Sequence, residues 1–474
     1  MRRLSSLIAV VLVTAAGLAG VGGAARPARA AGAPAAMAVV ALVDSGINPY
    51  NVAFRDRSAL ASQHPSTYLP GYPKDAVALP ITLDVPFAEA RKRDAKLWAD
   101  IEPWQLYWVP GTRIVGMLTA GAGGTGCPVI PVPPASVLAG DCPETPILDD
   151  HGHGTMTASR AAGTRSLAPT ARIVEIEGLG AQSLMWAADA GFIDVISNSW
   201  GSPAFLPPSA SDISIAFAYS ATRALTIAAS GNGTGFILGA APNPTYASNT
   251  APPGVVLVGG HDNGKATLWS GSPPHVVADA YGGWAAINTS STEIRPDPIS
   301  CCTSAAAPYA AGGATAIVQD ARRLLGHRGV GVHDGVVARG RPGQLKGPLA
   351  DGVFTLDELR HVLLHSAEAR PGEGRDDGLL HWAGDPRPPE PLPWGLGSNP
   401  FCAVCTTTPL AWNAVPDGDQ LYPFLGYGAV NERSLALALN ILRGIRATPS
   451  RPGADQLYAT DQQLRSVVFS GTEE

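Results

Sequence analysis

Short apolar segments alternate with helix-compatible segments along most of this chain, and that alternation limits it to few folds. The run Met37–Val43 is continuous and apolar, as expected of a strand buried on both faces. Further strands are predicted over Ala171–Ile176, Val195–Ser199, Leu225–Ala229, Val255–Gly259 and Val276–Ala278. Helices are predicted over Phe87–Trp98, Gln182–Ala190, Asp212–Ala221, Ser304–Leu325, Leu356–Ala367 and Arg433–Leu442. Alternating strands and helices predict an α/β fold with a mostly parallel sheet.

Polar residues stand where several of these elements begin or end. Asp44 follows the first apolar strand, and Asn232 lies in a glycine-flanked turn after the strand that ends at Ala229. His153 stands at a loop-to-helix junction between two glycines. The carboxyl ends of parallel strands form the edge at which ligands bind in open α/β sheets. We therefore expect these side chains to meet at one edge.

The segment 301–313 reads as a loop that delivers Ser304 to the first turn of a helix. Pro308 is tolerated in a first turn, because its missing N–H would have no partner there. The helix dipole would favour negative charge developing beside Ser304. Taken alone, this segment also fits an ordinary alanine-rich helix start capped by Thr303 or Ser304.

Asp44, His153, Ser304 and Asn232 together match what serine nucleophilic catalysis requires. A serine hydroxyl needs a neutral imidazole to take its proton, and the imidazole needs a carboxylate to set its tautomer. The oxyanion that forms needs donors already in place, such as an amide side chain and the N–H of the serine.

The order Asp, His, Ser and the local motifs resemble the subtilisin-like serine peptidases. The matching stretches, over about residues 38–441, are Val43-Asp44-Ser-Gly-Ile47, Gly152-His153-Gly-Thr-Met-Thr-Ala158, Ser199-Trp200-Gly201, Ala228-Ala229-Ser230-Gly231-Asn232 and Thr303-Ser304-Ala-Ala-Ala-Pro308. The resemblance selects His153 over His151. It implies a three-layer fold with a seven-stranded, mostly parallel sheet, and peptide hydrolysis by the triad Asp44, His153 and Ser304 through an acyl-enzyme, with Asn232 at the oxyanion.

The resemblance also implies that two segments bind the backbone of a polypeptide substrate by β-augmentation. Those residues are Ser199, Trp200, Gly201, Ala229, Ser230 and Gly231. No cofactor is required for this chemistry; calcium often stabilises members of the family, but the sequence assigns no ligands to it.

The chain departs from the family's pattern in several places. Cys302 stands where the family has glycine, and its Cβ requires a permissive φ. Ala305 stands where methionine is usual. Asp44 follows Ala30 by only fourteen positions, which leaves no room for the family's usual folding-assistant pro-segment. The stretch of about 50–148 reads as a long insertion between the Asp and His motifs, with aromatic residues forming mainly a small core of its own.

The start of the chain predicts export. Arg2 and Arg3 precede the apolar run 7–21, and Ala28-Arg29-Ala30 fits a cleavage site, which gives a signal peptide over 1–30 and a secreted product. The alternative is an uncleaved membrane anchor. The peptidase domain is then expected over 31–441 and a polar tail over 442–474.

A net charge of −6 without basic blocks argues against a nucleic-acid partner, and no later segment is long and apolar enough to span a membrane.

Six cysteines in an exported chain suggest disulfides. Cys127 with Cys142 is the pair favoured by proximity, and closing that loop would contribute about 3 kcal/mol. Cys402 and Cys405 fit a short-loop disulfide, with a redox pair or zinc binding as alternatives.

Two other functions remain open at this stage. The chain could be a peptide-binding protein that keeps the groove but does not turn over substrate, because Cys302 or the insertion obstructs the serine. It could also be a metal-dependent hydrolase, in which metal ligands are drawn from Asp149, Asp150, His151 and His153.

Overall fold

The computed structural model describes residues 36–120, 146–200, 209–231, 254–262, 265–266, 274–280, 283–296, 302–326, 335–340, 347–368 and 427–445. The predicted signal peptide, Gly201, Asn232, Cys301, the cysteines of the predicted pairs Cys127 with Cys142 and Cys402 with Cys405, and the tail beyond 445 therefore lie outside the described residues.

A large central sheet organises the described part of the chain. Its strands run in the order β10-β8-β7-β6-β1-β5-β4-β3-β2, with β9 pairing with β8. The strands are β1 Val39–Asp44, β2 Val77–Ala78, β3 Tyr107–Trp108, β4 Ile114–Thr119, β5 Arg172–Glu177, β6 Val195–Asn198, β7 Leu225–Ala229, β8 Val256–Asp262, β9 Lys265–Ala266 and β10 Val276–Asp279. From β10 to β4 every pairing is parallel, so the predicted mostly parallel sheet is confirmed, although the described sheet has ten strands rather than the seven predicted. The short strands β2, β3 and β9 extend it.

Helices cover both faces of this sheet. They are α1 Phe87–Arg93, α2 Ala95–Ala99, α3 His153–Ala162, α4 Ala181–Asp189, α5 Ser209–Arg223, α6 Cys302–Leu325, α7 Leu356–Ser366 and α8 Glu432–Leu442. Two antiparallel strand pairs lie outside the central sheet, β11 Trp284–Ala286 with β12 Ile294–Pro296, and β13 Val336–Arg339 with β14 Val353–Thr355.

Strand β1 shows why this sheet is buried on both sides. Val40 and Leu42 join the core on the side of α3 and α6, whereas Val39, Ala41 and Val43 join the core on the side of α4 and α5. Successive side chains of a strand point to opposite faces, so a continuous apolar run fills both layers. The expected three-layer α/β architecture is confirmed.

Helices α3 and α6 pack unusually closely, and this brings their N-termini to the same edge. A Cβ added at Gly312 would lie 2.4 Å from the backbone oxygen of Ala161, so only glycine fits at this crossing. The C-terminal part of α6 is anchored by Arg322, which pairs with the buried Asp194 through two hydrogen bonds of 2.6 and 2.9 Å. Burial raises the pKa of Asp194, although Arg322 opposes the shift.

The aromatic residues of the 50–148 stretch were expected to form mainly a small core of their own, and this prediction is wrong for the described ones. Tyr68, Tyr72 and Trp108 pack with residues of β1 and β6 in the main core, and Trp98 packs in the opposite layer. Strands β2, β3 and β4 lie within this stretch and continue the central sheet. Its aromatic side chains therefore pack into the layers on the two sides of that sheet.

Two predicted helix boundaries also differ from the structure. The helix predicted over Phe87–Trp98 is divided at Asp94 into α1 and α2. Helix α6 begins at Cys302 rather than at Ser304, so Pro308 lies inside the helix and not in its first turn. Among the described residues, no helix combines the length and apolar character needed to cross a membrane.

Candidate active site

Asp44 is held in place by hydrogen bonds from three directions. It ends β1 and is only 3% exposed. Its Oδ1 accepts hydrogen bonds from the N–H of Ser45 at 2.8 Å and from Nδ1 of His153 at 2.6 Å, and its Oδ2 accepts one from Thr157 Oγ1 at 3.1 Å. Burial alone would raise the pKa of Asp44, but His153 and the other donors hold that pKa below its usual value. The carboxylate is therefore kept charged beside the imidazole.

His153 is the first residue of α3 and makes the contact with Asp44 that the sequence motif predicted. Because Nδ1–H donates to a carboxylate, the neutral ring carries its lone pair on Nε2. Gly152 before it has φ 92°, and a Cβ on Gly154 after it would lie 2.0 Å from the backbone oxygen of Gly46. The two glycines let the helix start directly against the turn that follows Asp44.

Ser304 lies in the first turn of α6 and is bonded to the end of a neighbouring strand. Its Oγ donates to the backbone oxygen of Ser199 at 2.9 Å, and Ser199 Oγ donates to the backbone oxygen of Ser304 at 2.9 Å. Pro308 explains the second bond, because its missing N–H leaves the carbonyl four residues earlier without a helical donor. The proline thus frees the Ser304 carbonyl to bind Ser199.

The three motif residues occupy adjacent positions at the carboxyl edge of the sheet. Strand β6 pairs with β1 so that Asn198 lies opposite Val43, which puts Ser199 beside Asp44. In this structure the Ser304 hydroxyl is hydrogen-bonded to Ser199 and not to His153.

The other predicted binding residues follow neighbouring strands at this edge. Strand β7 ends at Ala229 and pairs with β6, and Gly231 turns the chain with φ 92° two residues later. The indole of Trp200 packs against Phe217 of α5, with ring centroids 5.9 Å apart. The Trp200 side chain thus contributes to the core, and its backbone is what stands at the edge.

Cys302 adopts the left-handed backbone conformation that its position was expected to require. Its φ is 70° and its side chain is 2% exposed. A non-glycine residue in this region costs on the order of 1 kcal/mol or more. The chain tolerates this strain immediately before Thr303 and Ser304.

The acidic and histidine residues of segment 149–153 do not converge as metal ligands. Asp149 accepts hydrogen bonds from Ser45 and two backbone N–H groups, Asp150 pairs with Arg91 at 2.9 Å, and His153 binds Asp44. Over the described ranges, no group of three or more histidine, cysteine or acidic side chains is arranged to hold a metal ion.

Two buried acids lie behind the Asp44–His153 pair: Asp149, which the sequence indicated only as a candidate metal ligand, and Glu175, which the sequence analysis did not single out. Burial raises the pKa of Asp149 to about 6. Burial, followed by the charges of Asp44 and Asp149, raises the pKa of Glu175 well above its usual value, and the N–H of Gly46 offsets this only in part. Neither carboxyl oxygen of Glu175 has a well-formed hydrogen bond within the described part of the chain. The available signal was the position of Glu175 between Val174 and Ile176, inside the strand predicted over Ala171–Ile176.

We predict that Glu175→Gln increases stability at neutral pH but not in acid. Native Glu175 retains a proton that the unfolded chain releases above a pKa near 4.5, so the native protein loses stability as pH rises from there. The glutamine variant lacks this proton and should gain up to about 1.4 kcal/mol per pH unit relative to wild type. Urea unfolding at pH 4 and pH 7 measures the difference. Asp100→Asn, which also replaces a carboxylate by an amide but at an exposed position, is the control. An equal gain at both pH values in Glu175→Gln would contradict the prediction.

Comparison with known proteins identifies the family. Residues 36–384 match the model of the subtilase family. This match covers most of the chain, so the protein belongs to the subtilase family of serine-type peptidases. No curated protein matches the chain.

Several solved structures are similar to the chain at low identity. The epidermin leader peptide processing serine protease from Staphylococcus aureus is 11% identical, with 86% of this chain and 76% of that chain covered and a TM-score of 0.40. The PatG macrocyclase in complex with peptide is 14% identical, with 62% and 83% covered and a TM-score of 0.34. Fervidolysin from Fervidobacterium pennivorans, described as a keratinolytic enzyme related to subtilisin, is 17% identical, with 61% and 39% covered and a TM-score of 0.33.

Proposed function

We propose that this subtilase is an exported endopeptidase that cleaves peptide bonds through Asp44, His153 and Ser304. The observation that carries the proposal is the 2.6 Å contact between His153 Nδ1 and Asp44 Oδ1 at the sheet edge where Ser304 lies in the first turn of α6. A buried carboxylate on Nδ1 makes Nε2 the base, which is the arrangement that a serine nucleophile needs.

The reaction begins when the Ser304 hydroxyl leaves Ser199. An extended substrate pairing with the strand end at Ser199 competes for the same backbone oxygen and releases the hydroxyl toward His153. Ser304 Oγ then bonds to the scissile carbonyl carbon while its proton passes to His153 Nε2. The imidazolium gives that proton to the leaving amine as the C–N bond breaks, and water cleaves the resulting acyl-enzyme by the same route.

The tetrahedral oxyanion needs hydrogen-bond donors, and the proposal assigns two groups of the chain to this role. One is the backbone N–H of Ser304, at the N-terminal end of a long helix whose dipole favours negative charge. The other is the side-chain amide of Asn232, which follows Gly231 in the chain. The backbones of Ser199, Trp200 and Gly201 on one side, and of Ala229, Ser230 and Gly231 on the other, would hold the polypeptide substrate.

We predict that Asn232→Ala lowers kcat by about 100- to 1,000-fold, with little change in KM. Removal of the oxyanion asparagine from subtilisin, the family's type member, costs about 2.7–4 kcal/mol in the barrier. The amide acts on charge that develops in the transition state, so ground-state binding should be spared. Steady-state kinetics on a chromogenic peptide measure both constants. Turnover close to wild type would remove Asn232 from this role.

We propose further that no cofactor takes part in the chemistry and that the product is secreted after cleavage near Ala30. A disulfide between Cys127 and Cys142 is part of the same proposal, as is the absence of a nucleic-acid partner. Calcium could stabilise the fold, with no ligands assigned. Intact mass of the exported protein, with and without reduction, tests the cleavage site and the disulfide together.

The function is tested by incubating purified protein with unfolded casein and identifying the new peptide termini. Internal cleavage that a serine-directed inhibitor abolishes, and that a chelator does not abolish immediately, is expected. Removal of terminal residues alone would contradict endopeptidase activity.

The Ser304 hydroxyl bound to Ser199 also fits the alternative, a catalytically silent peptide-binding protein. Peptide binding without cleavage would favour that alternative.

A further inference from the structure

Asp149 connects the end of β1 with the start of α3. Its Oδ1 accepts hydrogen bonds from Ser45 Oγ at 2.9 Å and from the N–H of Gly152 at 2.7 Å, and its Oδ2 accepts one from the N–H of Thr155 at 2.6 Å. The residue is only 3% exposed. One carboxylate thus satisfies two of the backbone donors that a helix start leaves without partners.

Ser45 extends this connection to both members of the Asp44–His153 pair. It is the chain neighbour of Asp44, and its Oγ accepts the N–H of Gly154 at 2.9 Å while donating to Asp149. The residues on either side of His153 are therefore both bound, Gly152 by Asp149 and Gly154 by Ser45. His153 has little freedom to move away from Asp44.

We propose that Asp149, acting with Ser45, is a positioning residue that holds His153 against Asp44. Neither side chain bonds to the imidazole, so both act through the backbone around it. This inference rests on the proposed peptidase function, which supplies the reaction that the geometry serves. A misplacement of about 1 Å in a catalytic group can cost roughly 100-fold in rate.

The chemistry of Asp149 gives the proposal a pH signature. Its acceptor strength depends on its negative charge, because hydrogen bonds to an ionised acceptor are the stronger ones. The titratable groups facing it are Asp44 on β1 and Glu175 on β5. Burial raises the pKa of Asp149 to about 6, so the connection should weaken as the pH falls through that value.

The test compares Asp149→Asn with Asp150→Asn, the same change at the next residue. Asp150 is 40% exposed and pairs with Arg91, outside the connection described above. For Asp149→Asn we expect kcat to fall by about 10- to 100-fold with KM within about twofold, and the acid limb of the pH profile to become shallower. Asp150→Asn should retain wild-type kinetics. A folded Asp149→Asn with wild-type kcat, or an equal loss in Asp150→Asn, would overturn the proposal.

Ser45→Ala provides a second, milder variant in case Asp149→Asn does not fold. It removes one hydroxyl and should lower kcat in the same way, whereas an unchanged kcat would overturn the proposal. A readout independent of turnover is the proton NMR signal of His153 Nδ1–H. That signal should shift or broaden in Asp149→Asn and not in Asp150→Asn. An unchanged signal in both would overturn the positioning role even if the wild type proved inactive as a peptidase.

Discussion

Replacing Ser304 with alanine is expected to reduce kcat for peptide hydrolysis about a million-fold. In subtilisin, loss of the nucleophilic serine alone costs about 2 × 10⁶ in kcat, because the other catalytic groups then have no acyl acceptor to assist. The same dependence is expected here, since the Ser304 hydroxyl lies in the first turn of α6 and contacts Ser199, which follows the strand β6 that pairs with β1. Initial rates on a chromogenic peptide measure the loss.

Ser199→Ala is the matched control for this variant. It removes a hydroxyl that donates to the Ser304 backbone at 2.9 Å but keeps the carbonyl that Ser304 Oγ contacts. Loss of one such hydrogen bond is worth about 0.5–1.5 kcal/mol, so a decrease of about 2- to 10-fold is expected. Residual activity in Ser304→Ala comparable to that of Ser199→Ala would contradict the assignment of the nucleophile.

Replacing Asp44 with asparagine is expected to reduce kcat about 10,000-fold while leaving the fold intact. An amide of the same shape can present its N–H₂ to His153, which then places its proton on Nε2 and its lone pair on the wrong nitrogen. The charge that stabilises the imidazolium is lost as well. The pH dependence of unfolding adds a second check: the pKa of Asp44 is lowered in the native state, so its contribution to stability is present above about pH 3.8 and is lost in acid.

The measurement is kcat at neutral pH together with urea unfolding at neutral and acid pH. The variant should be less stable than wild type at neutral pH, with the difference shrinking below about pH 3.8. Asp150→Asn again serves as the control, because that carboxylate binds Arg91 rather than His153. A decrease in kcat of less than tenfold would show that Asp44 does not orient the histidine.

Local sequence patterns were enough to predict most of the α/β core. The strand over Leu225–Ala229 was predicted with the bounds the structure has, because an apolar β-branched run between a helix and a Ser-Gly turn is unambiguous. Strand β4 was missed inside the stretch that reads as an insertion. Its Gly116 weakens the strand pattern, and its partner β5 lies more than fifty residues along the chain. A Cβ at Gly116 would approach Val174 to 2.9 Å, so the glycine is required by that distant pairing.

In the candidate site, too, residues within local motifs could be predicted from the sequence, whereas contacts between distant parts of the chain could not. The motif around His153 identified the histidine, and the order of the motifs identified its partner. The role of Asp149 could not be derived in this way, because its contact with Ser45 joins residues 104 positions apart. In sequence, Asp149, Asp150, His151 and His153 resemble a set of metal ligands. In the fold, Asp149 binds Ser45, Asp150 binds Arg91 and His153 binds Asp44. This separation of partners depends on tertiary packing.

Covalent labelling shows directly whether Ser304 is an activated nucleophile. Folded wild-type protein is treated with a fluorophosphonate, which requires the hydroxyl, its base and an open route to both, and intact mass is then measured. We expect one adduct in the wild type and none in Ser304→Ala. No adduct on folded wild-type protein, or an adduct that persists in Ser304→Ala, would contradict that expectation.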